Sequence, residues 1–227
     1  MYSLILLAGG TGSRMNNPVP KQYMLLAGKP VIMHTLERID TIAEIDEIII
    51  VCSDKFVEQI KITLQQYNIR KQAKFALSGD TRQASVKSGL LFASNDQVII
   101  HEAARPFVKT EEFYKLINVG NENAIMGSPI NYTVLRGKEI VEGTLVRSEL
   151  VNVQLPQKFN RDLLMKAHEN AEKDKKNFTE DASLLFYYEP SIKIEIVEGT
   201  EQNIKLTTPT DMIIGKVIYD EYFTRGI

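Results

Sequence analysis

Short continuous apolar runs alternate along this chain with stretches in which apolar residues recur every three or four positions. Residues 4–7 (Leu-Ile-Leu-Leu) form the first run, and residues 47–52, 74–77, 97–100 and 123–126 repeat the theme. Such runs read as strands buried on both faces. Between them, Val31, Leu36 and Ile39 mark a helix that ends near Asp40, with Lys29-Pro30 setting proline at its first turn. Phe56, Ile60 and Leu64 mark a second helix. Val86, Leu90 and Leu91 are expected to face inward on a third, and a fourth spans about 111–119. Strand–helix alternation of this kind predicts an α/β fold: a mostly parallel, twisted sheet with helices on both faces.

The pattern changes at residues 132–153. Gly137 and Gly143 separate β-prone pieces at 132–135, 139–141 and 144–146. These predict a protruding antiparallel β-arm, which cannot bury itself alone and is expected to pack on a second subunit. The chain returns through Pro156-Gln157 into a helix over 161–173, and the charged stretch 172–176 reads as its solvated end. Thr179, ahead of Glu180 and Asp181, is the expected N-cap of the next helix. A strand is expected over 192–197, and Pro209 opens the last helix. No repeat, linker or low-complexity segment divides residues 1–227, which read as one domain.

Polar clusters recur at the exits of the predicted strands, where open α/β sheets bind ligands. The first is Leu7-Ala8-Gly9-Gly10-Thr11-Gly12-Ser13-Arg14-Met15, followed by Pro20-Lys21-Gln22-Tyr23. Three glycines in four positions let backbone N–H groups approach a phosphate closely. Arg14 and Lys21 add a planar fork and a point charge beside the loop. Together they predict a triphosphate cradle. A dinucleotide fingerprint needs glycine where Met15 stands, and a P-loop needs Gly-Lys-Ser/Thr, which is absent. Ser78-Gly79-Asp80-Thr81-Arg82 and His101-Glu102-Ala103-Ala104-Arg105-Pro106 end two further strands and are expected to share the crevice.

Composition narrows the field. With 27 basic against 29 acidic residues among 227, the net charge is −2, which argues against nucleic-acid binding. Cys52 is the single cysteine and sits in an apolar run, so a buried, reduced thiol is expected, in a cytoplasmic setting. No apolar run reaches membrane-spanning length, and the first residues run into a strand without a basic leader segment. His34 and His168 fall within helices and read as structural or surface residues; His101 is expected to orient its turn.

The glycine loop with Pro20–Tyr23, together with residues 101–106, Pro156-Gln157-Lys158-Phe159, residues 178–183, and Glu198-Gly199 through Asn203-Ile204-Lys205-Leu206-Thr207-Thr208, resembles one family in the same order along nearly the whole chain. It is similar to the cytidylyltransferases acting on 2-C-methyl-D-erythritol 4-phosphate and to their relatives acting on ribitol 5-phosphate. The resemblance implies a glycosyltransferase-A-like nucleotidyltransferase fold and transfer of CMP from CTP to a sugar-alcohol phosphate, with release of pyrophosphate. It also implies Mg²⁺ dependence and a homodimer with interlocked arms. Carried over by position, the nucleotide contacts fall on Ala8, Gly9, Gly10, Gly12, Arg14 and Lys21, with Gly79, Asp80 and Ser85 on the cytosine and ribose side. Contacts to the polyol phosphate fall on Glu102, Arg105, Thr133, Arg147 and Lys205. Arg14, Lys21 and Lys205 are the expected catalytic cations, and Arg147 would reach a neighbouring subunit's site.

This chain departs from the family pattern on the acceptor side. Glu102 stands where Asp is usual, Tyr132-Thr133 replaces Asp-Thr, and Leu155-Pro156-Gln157 replaces Thr-Pro-Gln. Those changes keep two alternatives open: a paralogue using ribitol 5-phosphate or another polyol phosphate for wall or capsule polymers, and a nucleotide-binding module without turnover.

Overall fold

The computed structural model describes residues 1–10, 12, 15 and 18–224. Among these residues, seven strands form the central sheet. In chain order they are β1 (Tyr2–Leu7), β4 (Ile45–Cys52), β5 (Gln72–Leu77), β6 (Gln97–Glu102), β7 (Ala124–Pro129), β10 (Val151–Asn160) and β11 (Glu195–Glu198). Two minor pairs complete the set: β2 (Leu25–Leu26) with β3 (Lys29–Pro30), and β8 (Leu135–Arg136) with β9 (Gly143–Thr144). The spatial order is β11-β7-β10-β6-β1-β4-β5. Every neighbouring pair is parallel except those made by β10, which runs against both β6 and β7.

Among the described residues, seven α-helices accompany the sheet: α1 (Val31–Asp40), α2 (Val57–Gln66), α3 (Arg82–Leu90), α4 (Thr110–Asn118), α5 (Arg161–Lys173), α6 (Asp181–Tyr188) and α7 (Pro209–Tyr219). The apolar strand runs divide between two cores, as the two-residue period of a strand requires. Leu4, Leu6, Ile48, Ile50 and Ile99 pack with Met33 and Leu36 of α1, Ile60 of α2 and Phe113 of α4. Ile5, Ile49, Val51 and Ile100 point the other way, onto Val86 of α3, Leu164 of α5 and Leu185 of α6. Cys52 is buried in the first core, as expected.

Several expectations need correction. Leu91 is 69% exposed: its backbone is still helical, so it stands about 100° round the axis from Leu90 and off the stripe that Val86 and Leu90 share. The cap of α6 is Glu180, whose carboxylate accepts from the Ala182 and Ser183 amides at 2.9 and 2.8 Å, and not Thr179. The last strand covers only Glu195–Glu198, because residues 190–192 turn before it. β6 runs two residues further than expected and carries His101 and Glu102 within it. In the arm only β8 and β9 pair, two residues each, and residues 139–141 form no strand.

The register sets up the site. Leu7 lies level with Val51 on one side and Glu102 on the other, and Cys52 lies level with Leu77. The carboxyl ends of β1, β4, β5 and β6 therefore share one edge. Val151 pairs with Pro129, so the arm leaves the sheet from the carboxyl end of β7, at that same edge. Among the described residues, no helix is long and apolar enough to cross a membrane.

Candidate active site

The loop after β1 is held by neutral hydrogen bonds. The buried Gln22 amide donates to the Ala8 and Gly10 carbonyls at 2.6 and 2.9 Å, and the Tyr23 hydroxyl donates to Ala8 O at 3.1 Å. Gly9 is required by close approach, since a Cβ there would stand 2.2 Å from Ser78 Cβ. That contact joins the glycine loop to the turn after β5. Gly12 adopts φ +68°, a left-handed conformation that glycine takes at little cost. The chain then reaches a 3₁₀ turn, Lys21–Tyr23, whose first residue is the buried Lys21. Lys21 faces the start of α7. Burial would raise the Asp211 carboxyl, but the Thr208 and Thr207 amides, the Thr208 hydroxyl and the Lys21 charge hold it below its ordinary value. Arg14 lies outside the described residues, as do Thr11 and Ser13 of the same loop.

The turn after β5 is closed by Ser85. Its hydroxyl accepts from Gly79 N at 3.1 Å and donates to Thr81 O at 2.9 Å. The Thr81 side chain caps α3 by accepting from Ala84 N. Ser85 is thus committed to shaping the turn, while Asp80 stands exposed at its tip.

Glu102, at the end of β6, is 7% exposed and sits between two cations. Lys205 Nζ is 2.6 Å from Oε2, and Arg82 Nε is 3.2 Å from Oε1. Arg82 extends the chain of charges to Asp181, with NH2 2.7 Å from Oδ2, and the ring of His168 lies 3.7 Å beyond. Burial alone would push the Glu102 carboxyl up. The charges of Lys205 and Arg82, the Lys205 hydrogen bond and the charge of Arg105 outweigh it and bring it down to about 2. For Asp181 the balance reverses: burial raises its carboxyl despite Arg82, and Glu102 adds to the rise. Burial and the nearby Arg82 and Lys87 lower His168 to about 4, so its ring is neutral near pH 7.

Arg105 follows at the next turn. Its backbone N donates to Glu102 O at 2.9 Å, and its NH1 donates to Asn203 O at 2.8 Å. The buried His101 ring bonds the Arg105 carbonyl at 3.2 Å, so it orients this turn, as expected. Burial, with Arg105 and Arg38 nearby, lowers that imidazole to about 4 despite its backbone hydrogen bond and Glu102.

Three strand exits thus meet. The loop of Ala8, Gly9, Gly10 and Gly12 meets the turn after β5 where Gly9 approaches Ser78, Lys21 adjoins Gly12, and Arg82 links that turn to Glu102, which Lys205 and the Arg105 amide also reach. Thr133 and Arg147 stand apart. Both are exposed on the arm, and Arg147 NH1 bonds Asn131 O at 3.2 Å. Arg147 lines a cavity of about 680 Å³ with Ser128, Asn131, Val151 and Glu198, away from Glu102.

Sequence reasoning gave no role to Arg82, Asp181 or Gln22. A signal for Arg82 existed. A cation at the first position of a helix opposes the helix dipole and needs a carboxylate to hold it there. Asp181 opens its own helix, where an acid is favourable anyway, so nothing marked it out.

Comparison with known proteins adds the chemistry. The family described as IspD, 2-C-methyl-D-erythritol 4-phosphate cytidylyltransferase, matches residues 2–221. The Aquifex aeolicus protein of that name is 37% identical over 223 residues, covering 96% of this chain and 97% of its own length. One from Clostridium botulinum is 34% identical over 225 residues, with the same coverage. The crystal structure of 4-diphosphocytidyl-2C-methyl-D-erythritol synthase from Anaerococcus prevotii superposes with a TM-score of 0.87 at 29% identity, covering 97% of this chain and 96% of that one.

Proposed function

The chain belongs to the 2-C-methyl-D-erythritol 4-phosphate cytidylyltransferase family, and we propose that it transfers the cytidylyl group of CTP to that acceptor and releases pyrophosphate. The observation that carries the reading is the Lys205–Glu102 contact of 2.6 Å. It joins a motif near the end of the chain to strand exits that already hold a glycine loop.

The acceptor's phosphate oxygen attacks the α-phosphorus of CTP in line, and pyrophosphate leaves. A phosphate monoester is already a nucleophile at neutral pH, so the obstacle is repulsion between two anions. Fixed cations and alignment meet it. The amides of Ala8, Gly9, Gly10 and Gly12 take the triphosphate, and Gly79, Asp80 and Ser85 border the base and ribose. Ser85 serves there by fixing the turn, given its hydroxyl bonds. Lys21 and Arg14 balance charge on the α-phosphate and pyrophosphate. Lys205, with Glu102 setting its amine, faces the α-phosphate, and Arg105 takes the acceptor phosphate. The three buried histidines, His34, His101 and His168, are all lowered by burial, which fits a reaction that needs no proton relay.

Mg²⁺ belongs to this proposal through the substrate. Among the described residues no group of three or more His, Cys, Asp or Glu is placed to hold an ion, and Glu102 is already neutralised by two cations. The residues present do not form a protein cage, and triphosphate oxygens and water are the ordinary ligands for such an ion. The arm is proposed to pair with a second copy, bringing Thr133 and Arg147 to the partner's acceptor. Ile140, Val141 and Val146 lie exposed on it, and its four paired residues cannot bury them. A cytoplasmic location completes the reading.

The test offers CTP with 2-C-methyl-D-erythritol 4-phosphate, ribitol 5-phosphate, erythritol 4-phosphate and glycerol 3-phosphate, follows pyrophosphate, and identifies the CDP product. Fastest turnover with the methylerythritol phosphate is expected. Dominance of ribitol 5-phosphate would reassign the acceptor, and preference for a purine nucleotide would remove the donor assignment.

A further inference from the structure

Glu112 lies at the third position of α4 and is 1% exposed. As an acid in the first turn it needs no explanation beyond the helix dipole. Its bonds say more. Oε2 accepts from Lys109 N at 2.8 Å and closes the helix start. Oε1 turns outward and accepts from Thr200 N at 3.2 Å, Thr200 Oγ1 at 3.3 Å and Asn203 Nδ2 at 3.4 Å.

Residues 200–206 form the loop that carries Lys205. Asn203 in that loop is fully buried; its amide also donates to Leu155 O at 2.7 Å, and its carbonyl accepts from Arg105 NH1 at 2.8 Å. Leu206 N bonds Ala104 O at 2.8 Å. Lys205 is therefore pinned between two buried neighbours, one of them held by Glu112. A single carboxylate outside the site sets the loop that supplies Lys205 and the carbonyl that aims Arg105.

We propose that Glu112 is a positioning residue for the acceptor half of the site: it fixes residues 200–206 so that Lys205 and Arg105 converge on Glu102, and it leaves nucleotide binding alone. The proposal rests on the acceptor roles given above to Lys205 and Arg105. A carboxylate is needed because both of its edges must accept. Glutamine offers one accepting edge, so Glu112→Gln keeps the shape and loses either the helix start or the loop. Glu47 is the internal control. It too is buried, at the far end of the sheet, where it accepts from Ser3 and Ser94 and pairs with Lys74.

The experiment measures kcat and both KM values, CTP affinity by calorimetry, and hydrogen exchange of the Leu206 amide in the free protein. Glu112→Gln is expected to lower kcat/KM for the acceptor 10- to 50-fold, keep CTP affinity within about twofold, and speed Leu206 exchange at least tenfold. Asn203→Ala should do the same, and the double variant should be no worse than the poorer single one. Glu47→Gln should lower the melting temperature without this split. Thr200→Val, which removes only the hydroxyl, should give a smaller change in the same parameter, and it stands in if Glu112→Gln does not fold. CTP affinity falling in parallel, additive singles, or unchanged Leu206 exchange would each overturn the proposal. The exchange measurement uses no substrate, so a wild type inactive on every acceptor would refute the functional reading and still leave Glu112 judged by its loop.

Discussion

Gln22 and Glu102 are both almost wholly buried, one against the loop after β1 and the other at the end of β6, yet they hold their surroundings by different means. Gln22 uses a neutral amide on two backbone carbonyls. Glu102 uses a full charge shared by Lys205 and Arg82, with Asp181 behind the arginine. Neutral bonds of this kind contribute about 1 kcal/mol each and respond little to pH or salt. A buried ion chain is different. Whole, it offsets its own desolvation, but removal of one member strands the next, at about 3–5 kcal/mol. The glycine-loop wall is thus a rigid mould, and the Glu102 wall is an electrostatic balance.

The sharpest way to break this contrast is to remove one cation from each wall. Lys205→Ala and Lys21→Ala are each expected to lower kcat/KM by 100- to 1000-fold, about 3–4 kcal/mol of lost transition-state stabilisation. Only Lys205→Ala should also shift the acid side of the pH–rate profile upward, because it takes away the charge that most lowers Glu102. Steady-state kinetics from pH 5 to 9 checks both statements. Equal profiles for the two variants would erase the distinction between the walls.

A middle-sized effect comes from acid. The folded Glu102 carboxyl sits at about 2, against an ordinary 4.5, so it contributes stability that is present above pH 4.5 and lost as pH falls towards 2. Between pH 5 and pH 3 this amounts to about 2 kcal/mol. Asp181, raised by burial, acts in the opposite sense, so the wild-type limb reports the difference between them. Denaturant melts at the two pH values should show a steeper loss for wild type than for Glu102→Gln. The smallest effect belongs to the mould. Gln22→Ala should cost about 1–2 kcal/mol of stability and raise KM for CTP several-fold, with no change in either between pH 5 and 8.

The same contrast explains what could be read from the sequence. The strand runs and the Lys21–Tyr23 turn are local, and each carries its reason within a few residues. The glycine loop was legible because Gly9 and Gly12 answer to a close approach and a backbone angle. The charge chain was not, because Arg82, Glu102, Asp181 and Lys205 come from four separate elements and meet only through the fold. Glu112 was hidden twice: its residue type already suits a helix start, and its loop partners lie far along the chain. Leu91 and Thr179 failed for a smaller reason. One step round a helix carries a side chain from core to solvent, and a helix that begins one residue late moves its cap to the neighbour.

The reversed strand β10 also governs the order in which the molecule can be assembled during synthesis. By Glu102 the ribosome has released β1, β4, β5 and β6, enough for half a sheet with its two helical layers begun. The outer side of β6 then waits bare for residues 151–160, and β7 has no place of its own until they arrive, since it joins the sheet only through β10 and β11. For that interval the nascent chain carries an open hydrogen-bonding edge, the kind of surface that recruits stray strands. The arrival of residues 151–160 therefore closes a seam in the middle of the sheet, and a stall within the arm would hold that seam open.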